Sequence, residues 1–441
     1  MPVPDQRTIP VELLPPGVIL AISPHVQEFR SGHTLPLPKA LRPSGGPWLQ
    51  FGWLPIFAVP NPLRFRLVDA SPTSIFNATR GEDGVDMLKR RDFLVAGAVS
   101  ALIGPSTVSL AQAQAPAPAD ASVPEDWDDG LAHPIPYDPP PGIGKERGLV
   151  LGGGGAYLAS WMVGYASALK SREVDVARAD VAVGTSAGSV VGAALMGGHL
   201  WRLRSELDIL GEFPKLFAKL IPTMAPNPSQ LRARRIANAA SQASPEVIQS
   251  IGRAAMAARN PAGPSDYLTT VKRLIGEKKW PSPRFYTTAI DCYTGQRLIV
   301  GQARDIPVNA ACAASSSLPG SMGPTWLKDR LCMDGGICQT STHSDVVGGV
   351  KKALIISLTD GSADAVKIGL RTSGLPNTLQ QEVKALEAGG TKVMLKVVGL
   401  LPGITHVDSL MDPKWIEPCL KNGHERGLAD AEDMAAFWGT V

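Results

Sequence analysis

Two glycine-bounded motifs in this chain carry residue types suited to acyl transfer. The first is Val183-Gly184-Thr185-Ser186-Ala187-Gly188, a Gly-x-Ser-x-Gly. A serine set in a sharp strand-to-helix turn presents its hydroxyl to a reacting group, and Gly184 and Gly188 let the backbone double back without striking the next helix. A helix starting at that point adds unpaired N–H groups and the positive end of its dipole beneath the serine oxygen. The second motif is Gly152-Gly153-Gly154-Gly155. Consecutive glycines can turn backbone N–H groups inward, where they stabilise the oxyanion of an acyl-transfer intermediate. A glycine loop of this kind also suits phosphate. However, the Gly-Lys-Ser/Thr ending of a P-loop is missing, and no glycine stands at or near Leu158 to complete G-x-G-x-x-G, although Glu173 and Asp175 follow about 20 residues on.

A base for the serine has two sources. Asp334 stands in Met333-Asp334-Gly335-Gly336, which taken alone reads as a turn just after Leu331-Cys332. Ahead of it lies Ala310 to Gly320, a small-residue helix closed by Leu318-Pro319-Gly320. The other source is a histidine. A Ser–His–Asp triad in the chain order serine, acid, histidine would draw on Asp334 or Asp360 and on His343, His406 or His424. No distinctive motif surrounds these histidines, and the glycine loop precedes the nucleophile strand.

The elements needed to position these residues begin near Lys145. Arg147–Leu151 reads as a buried strand, Ala156–Lys170 as a helix with Trp161, Tyr165 and Leu169 on one face, and Asp180–Val183 as a second strand leading into a small-residue helix to Met196. Phe285–Ile290 and Gln296–Val300 read as strands joined at Tyr293-Thr294-Gly295, with further strands at Ala353–Leu358 and Lys392–Val398. Strands alternating with helices imply an α/β fold, a parallel-rich sheet covered on both faces. Between about 200 and 280 the pattern is helical and broken by prolines, an insertion expected to cap the cleft. Within it Phe213, Leu216, Phe217, Leu220 and Ile221 share a face beside Lys215 and Lys219. A lid meeting lipid has this pattern, and so does a cap helix packed face-down, the reading favoured here.

Taken together, Leu149 to Gly155, Val183 to Gly188, Ala314 to Gly320 and Asp334-Gly335-Gly336, in that order, resemble the patatin-like phospholipase family. The resemblance is firm over about residues 146–360 and looser on to Ala436. It implies a three-layer α/β/α domain with a mainly parallel central sheet. It also implies a Ser–Asp dyad in which Ser186 is the nucleophile and Asp334 the base, with the amides of Gly153, Gly154 and Gly155 as the oxyanion hole. Gly184, Gly188, Gly335 and Gly336 shape the two motifs. The expected activity is hydrolysis of lipid carboxylic esters through an acyl-enzyme, of the phospholipase A or lysophospholipase kind and without a cofactor. A non-catalytic lipid-binding protein on the same fold is the alternative from another class. One departure stands out: the family usually carries a basic residue and a glycine after its glycines, where this chain has Tyr157 and Leu158.

The bulk composition limits the rest. At 441 residues with 44% hydrophobic and 19% charged content, the chain can bury a sizeable core, while a formal charge of +3 without basic runs gives no support for nucleic-acid binding. Five cysteines, none in a C-x-x-C pair and none with histidine at zinc spacing, give no metal site. Buried thiols are expected, although Cys332 and Cys338 are close enough in sequence to pair in an oxidising compartment. Met87-Leu88-Lys89-Arg90-Arg91-Asp92-Phe93-Leu94, an apolar run and Ala111-Gln112-Ala113-Gln114-Ala115 have the layout of a secretory signal. The paired arginines resemble a twin-arginine export signal. The expected organisation is therefore an upstream segment over 1–86 with translation starting at Met87, an export signal over 87–115, a Pro/Ala-rich linker over 116–145 and a hydrolase domain over 146–441. That places the protein in the periplasm or outside the cell, acting on lipid or a membrane surface, with the twin-arginine machinery as a partner.

Overall fold

The computed structural model describes residues 129–440, apart from 214–225, 259–263 and 277–278. The expectations for 1–86, for the export signal at 87–115 and for Leu216, Phe217, Leu220 and Ile221 lie outside the described residues.

The central sheet has eight strands: β1 (Arg147–Leu151), β2 (Val181–Gly184), β3 (Phe285–Asp291), β4 (Arg297–Gly301), β5 (Thr325–Leu327), β6 (Arg330–Asp334), β7 (Lys352–Ser357) and β8 (Lys392–Val397). Five run parallel in the order β3-β2-β1-β7-β8. The sheet is mixed because β4 returns antiparallel on β3 through the Tyr293-Thr294-Gly295 hairpin, and β6 and β5 add antiparallel beyond.

Alternation along the strands assigns the two faces. Leu149 and Leu151 of β1 and Leu354 and Ile356 of β7 pack under α1 (Gly155–Ser171), α2 (Ala187–Met196) and α3 (Leu200–Glu212). Burying each such leucine contributes roughly 1.5–3 kcal/mol. Val150, Ala353 and Ile355 face the other way, against Val346, Val347 and the helix Leu379–Ala388. The helix-rich region expected between 200 and 280 contains α3, α4 (Pro228–Ala239), α5 (Pro245–Ala257) and α6 (Pro264–Ile275). Small-residue α7 (Val308–Ser315) follows β4, and Leu379–Ala388 is α8.

Residues 129–145 lie along the sheet: Leu131 is buried, Ala132 bridges Leu298, and the Asp129 carboxylate pairs with the Arg330 guanidinium. At the other end of the chain, α9 (Ile416–Ala429) crosses α1 at close range, and α10 (Ala431–Trp438) follows it. A Cβ on Gly423 would sit 2.1 Å from the Trp161 carbonyl oxygen, and one on Gly164 would sit 2.2 Å from that of Leu420. These backbones meet because glycine leaves the space. Trp161 Nε1 donates to Asn422 at 2.9 Å and the Tyr165 hydroxyl to Asp430 at 2.8 Å, fixing the helix that follows the glycine loop.

Candidate active site

β2 ends at Gly184 and α2 begins at Ala187, so Ser186 occupies the turn between them with φ 52° and ψ −119°. A non-glycine residue at positive φ is strained, and the surroundings must over-determine it. Here the Gly188 amide donates to Thr185 O at 2.8 Å and Gly152 O at 3.2 Å, and Ser189 Oγ donates to Ser186 O at 2.6 Å. The packing admits no side chain at the flanking glycines. A Cβ on Gly188 would lie 2.0 Å from Leu151 O, and one on Gly184 would lie 2.4 Å from Gly188 O. The Ser186 amide donates to Ser315 Oγ, 2.9 Å away at the end of α7.

The glycine loop runs directly beside this turn. Gly152 N donates to Ile356 O at 2.9 Å, anchoring the loop to β7. A Cβ on Gly153 would approach Ser186 Cβ at 3.2 Å. Gly154 caps α1 without a side-chain acceptor, and Gly155 opens the helix at φ 60°. Among the described residues no protein acceptor takes the amides of Gly153, Gly154 or Gly155, and all three glycines line the same cavity as Ser186. Tyr157 is turned away from it. Its hydroxyl donates to Gly399 O at 3.1 Å and accepts from Leu401 N at 2.9 Å, and its ring meets Trp415 edge-on. Tyr157 and Leu158 are core residues.

Asp334 arrives from the opposite direction. β4 covers one edge of β3, so β2 and β6 share the other: Thr287 pairs with Gly184, and Ala289 pairs with Asp334. The two strands run toward each other and stop two residues short of meeting, which brings Ser186 and Asp334 together. Thr185 and Thr288 hydroxyls hydrogen-bond across the gap at 3.0 Å. Asp334 is thus the last residue of a strand, where the sequence reads as a turn; a five-residue strand with Arg330 and Asp334 at its ends carries too little alternation to be recognised.

The carboxylate is buried, and burial raises its pKa to about 6 against the opposing influence of the Gly336 amide, which donates to it at 2.8 Å, and of the nearby Ser186 hydroxyl. Asp334 N donates to Ser317 O at 3.0 Å and Gly335 N to Ser315 O at 3.2 Å. Ser315 therefore touches both motifs, Oγ toward Ser186 and carbonyl toward Gly335. A Cβ on Gly335 would lie 2.1 Å from Thr288 Oγ1.

Behind the turn, His343 Nε2–H donates to Gly335 O at 2.8 Å. Its burial, reinforced by Arg297, pulls the imidazole pKa down, so the ring is neutral. The loop carrying it is gripped by Glu382 of α8, whose carboxylate accepts from Ser341 N at 2.7 Å, Ser341 Oγ at 2.8 Å and Thr342 Oγ1 at 2.8 Å. Burial alone would raise the Glu382 pKa, but these hydrogen bonds, with those of Thr340 and Thr378, hold it down at about 2. Ser315 and Glu382 are site-shaping residues that sequence reasoning missed, and His343, weighed there as a triad base, instead braces the Gly335 carbonyl. Ser315 lay inside the Ala314–Gly320 motif, while Glu382 gave no signal.

The site opens on a cavity of about 650 Å³. Its walls include Leu203, Leu207 and Leu210 of α3 and Thr270, Val271 and Leu274 of α6, so the helical insertion roofs the site. His406 and His424 are not among its lining residues, and no histidine hydrogen-bonds Ser186 or the Asp334 carboxylate among the described residues. Cys332 and Cys338 do not pair: all five cysteines are buried free thiols.

The family model for Patatin-like phospholipase matches residues 149–344. No curated protein matches the chain. Among solved structures, VipD from Legionella pneumophila is similar, with 13% identity and a TM-score of 0.36 over 66% of this chain and 67% of that one. The type III effector protein ExoU has 17% identity and a TM-score of 0.28 over 66% of this chain. The match spans about half of ExoU, 54% of its length. A mixed, mostly parallel sheet flanked by helices, with the four motifs in order inside the matched span, identifies residues 149–344 as a domain of the patatin-like phospholipase family.

Proposed function

We propose that the protein is a serine acyl hydrolase acting on lipid carboxylic esters through a Ser186–Asp334 dyad. The observation that carries this reading is the convergence of β2 and β6 along one edge of β3, which sets a strained serine and a dry carboxylate at the mouth of one cavity. Near pH 7 an Asp334 with a pKa of about 6 is mostly ionised yet far more basic than an ordinary carboxylate. As Ser186 Oγ attacks the ester carbonyl, its proton passes to Asp334, and the amides of Gly153, Gly154 and Gly155 receive the charge on the carbonyl oxygen. Collapse expels the alcohol, which takes the proton from Asp334 and leaves acyl-Ser186. Asp334 then removes a proton from water, whose attack releases the carboxylic acid and restores the serine.

The triad alternative loses support because the buried His343 spends Nε2–H on Gly335 O and, among the described residues, no histidine lines the cavity. A fluorophosphonate probe tests the reading directly. Wild type is expected to take a single adduct at Ser186, and absence of that adduct would favour a binding protein. The rate kcat/KM is expected to rise with pH to a plateau, with an apparent pKa near 6. Export through the Arg90-Arg91 signal is part of the same reading, tested by N-terminal sequencing of protein from the producing cell. A mature end near residue 115 is expected, and retention of residues before Met87 would overturn it.

A further inference from the structure

The cavity is lined by four strongly ionisable side chains: Asp334, Asp408, Arg234 and Arg371. Asp334 belongs to the dyad, and Asp408 is shared with Lys414 at 3.4 Å and His406 at 3.7 Å. The two arginines have no such balance. Arg234 of α4 uses Nε to donate to Gly320 O at 2.9 Å, and Arg371 donates Nη2–H to Leu375 O. Neither is in an ion pair among the described residues. Each guanidinium offers five N–H donors, so most remain uncommitted.

Elsewhere the protein treats buried arginine differently. Arg297 holds Asp345 through both carboxylate oxygens at 2.7 Å, and Arg330 sits between Asp129 and Asp291. Arg234 and Arg371 instead meet partial burial with no counter-charge, and that burial pulls the pKa of each below the ordinary guanidinium value. A half-buried cation without an anion is costly, and an anionic ligand relieves the cost. One backbone hydrogen bond joins the segments that carry them: Gly374 N donates to Ala237 O at 3.0 Å, tying the Arg371 loop to the helix that carries Arg234, and both arginines line the cavity. Two guanidiniums match phosphate, whose oxygens accept paired N–H donors.

We propose that Arg234 and Arg371 form a phosphate subsite, so that the cavity prefers acyl esters bearing a phosphate over neutral acyl esters. The proposal rests on the hydrolase reading of this cavity. It supplies positive charge to the cavity from Arg234 and Arg371, while Tyr157, beside the glycine loop, has turned into the core.

The test compares lysophosphatidylglycerol with monoacylglycerol of the same chain length, using wild type, Arg234→Gln, Arg371→Gln and the double variant. The ratio of kcat/KM for the phosphate ester over the neutral ester should fall about tenfold in each single variant and about a hundredfold in the double, chiefly through KM. Arg371→Lys, which keeps charge without the planar fork, should recover part of the ratio. An unchanged ratio in a folded double variant, or in both single variants if the double does not fold, would overturn the proposal. Inorganic phosphate supplies the second arm, as a competitive inhibitor of monoacylglycerol hydrolysis whose inhibition constant should rise about tenfold in Arg371→Gln. Loss of phosphate inhibition with an unchanged lipid ratio would assign the subsite to free anion and overturn the substrate preference. If wild type hydrolyses neither ester and Ser186 takes no fluorophosphonate, the hydrolase reading fails instead. Phosphate-induced thermal stabilisation, compared between wild type and double variant, would still decide the subsite.

Discussion

Around Ser186, the groups that fix the backbone come mostly from elements adjacent in sequence: Leu151, Gly152, Gly184, Thr185, Gly188 and Ser189. The turn at Asp334 is held by groups scattered from Thr288 to Glu382. The first support is steric, backbone against backbone with no room for a methyl group. The second is polar, a chain of hydrogen bonds ending in the half-buried carboxylate of Glu382. Ser315 ties the two together. The difference teaches that the proposed nucleophile is set by close backbone packing and the proposed base by remote polar contacts, so the two should fail in different ways.

The largest expected effect separates them on turnover. Ser186→Ala should lower kcat by about 10⁴-fold or more and abolish fluorophosphonate labelling. Asp334→Asn should lower kcat by about 10³-fold or more while the probe still labels Ser186, more slowly. An Asp334→Asn enzyme with wild-type turnover would remove the base from the mechanism.

Next comes the steric side. Gly188→Ala should cost more than about 4 kcal/mol, because the new Cβ meets Leu151 O at 2.0 Å and neither partner can retreat. Thermal or urea unfolding reads this, and a loss below about 1 kcal/mol would contradict the steric account.

The polar side should respond to pH. Glu382 has a folded-state pKa depressed to about 2, so its contribution is present above the ordinary glutamate range and is lost as pH falls toward 2. Glu382→Gln should therefore destabilise by about 3 kcal/mol near pH 7, with the difference from wild type shrinking below pH 4.5. Denaturant titrations at several pH values test it, and a pH-independent difference would mean the charge is not what holds the loop.

The smallest effect has the opposite sign. Asp334 has a raised folded-state pKa, so its contribution is fully present below the ordinary aspartate range and is lost as pH rises through about 6. Ionising it costs about 2–3 kcal/mol. Asp334→Asn should be more stable than wild type at pH 8 and equal to it near pH 3. A destabilised Asn variant at pH 8 would show that the carboxylate holds the turn rather than straining it.

What was legible in the sequence follows this same division. Gly-x-Ser-x-Gly between a buried strand and a small-residue helix could be read directly, because the residue types that permit the turn stand within six positions, although Leu151, Gly152 and Ser315 complete its support. β1, β2, β7 and β8 were legible from continuous apolar runs, as parallel strands covered on both faces require. β5 and β6 were not, since Thr325–Leu327 and Arg330–Asp334 are too short for a period to register. Glu382 could not be found at all: nothing in Leu379–Ala388 distinguishes a carboxylate that accepts hydrogen bonds from the preceding loop from one facing solvent. Tyr157 raised a question about substrate charge, which the fold answers by sending it to Gly399 and Leu401.

The position of β1 has a practical consequence. It is the middle strand of the parallel run, hydrogen-bonded to β2 on one side and to β7 on the other, and β7 begins at Lys352. A fragment cut to the family-matched span of 149–344 would expose the whole β7 side of β1 as a bare, apolar edge. Such an edge recruits strands from other molecules. The fragment should therefore self-associate, however complete its catalytic motifs are.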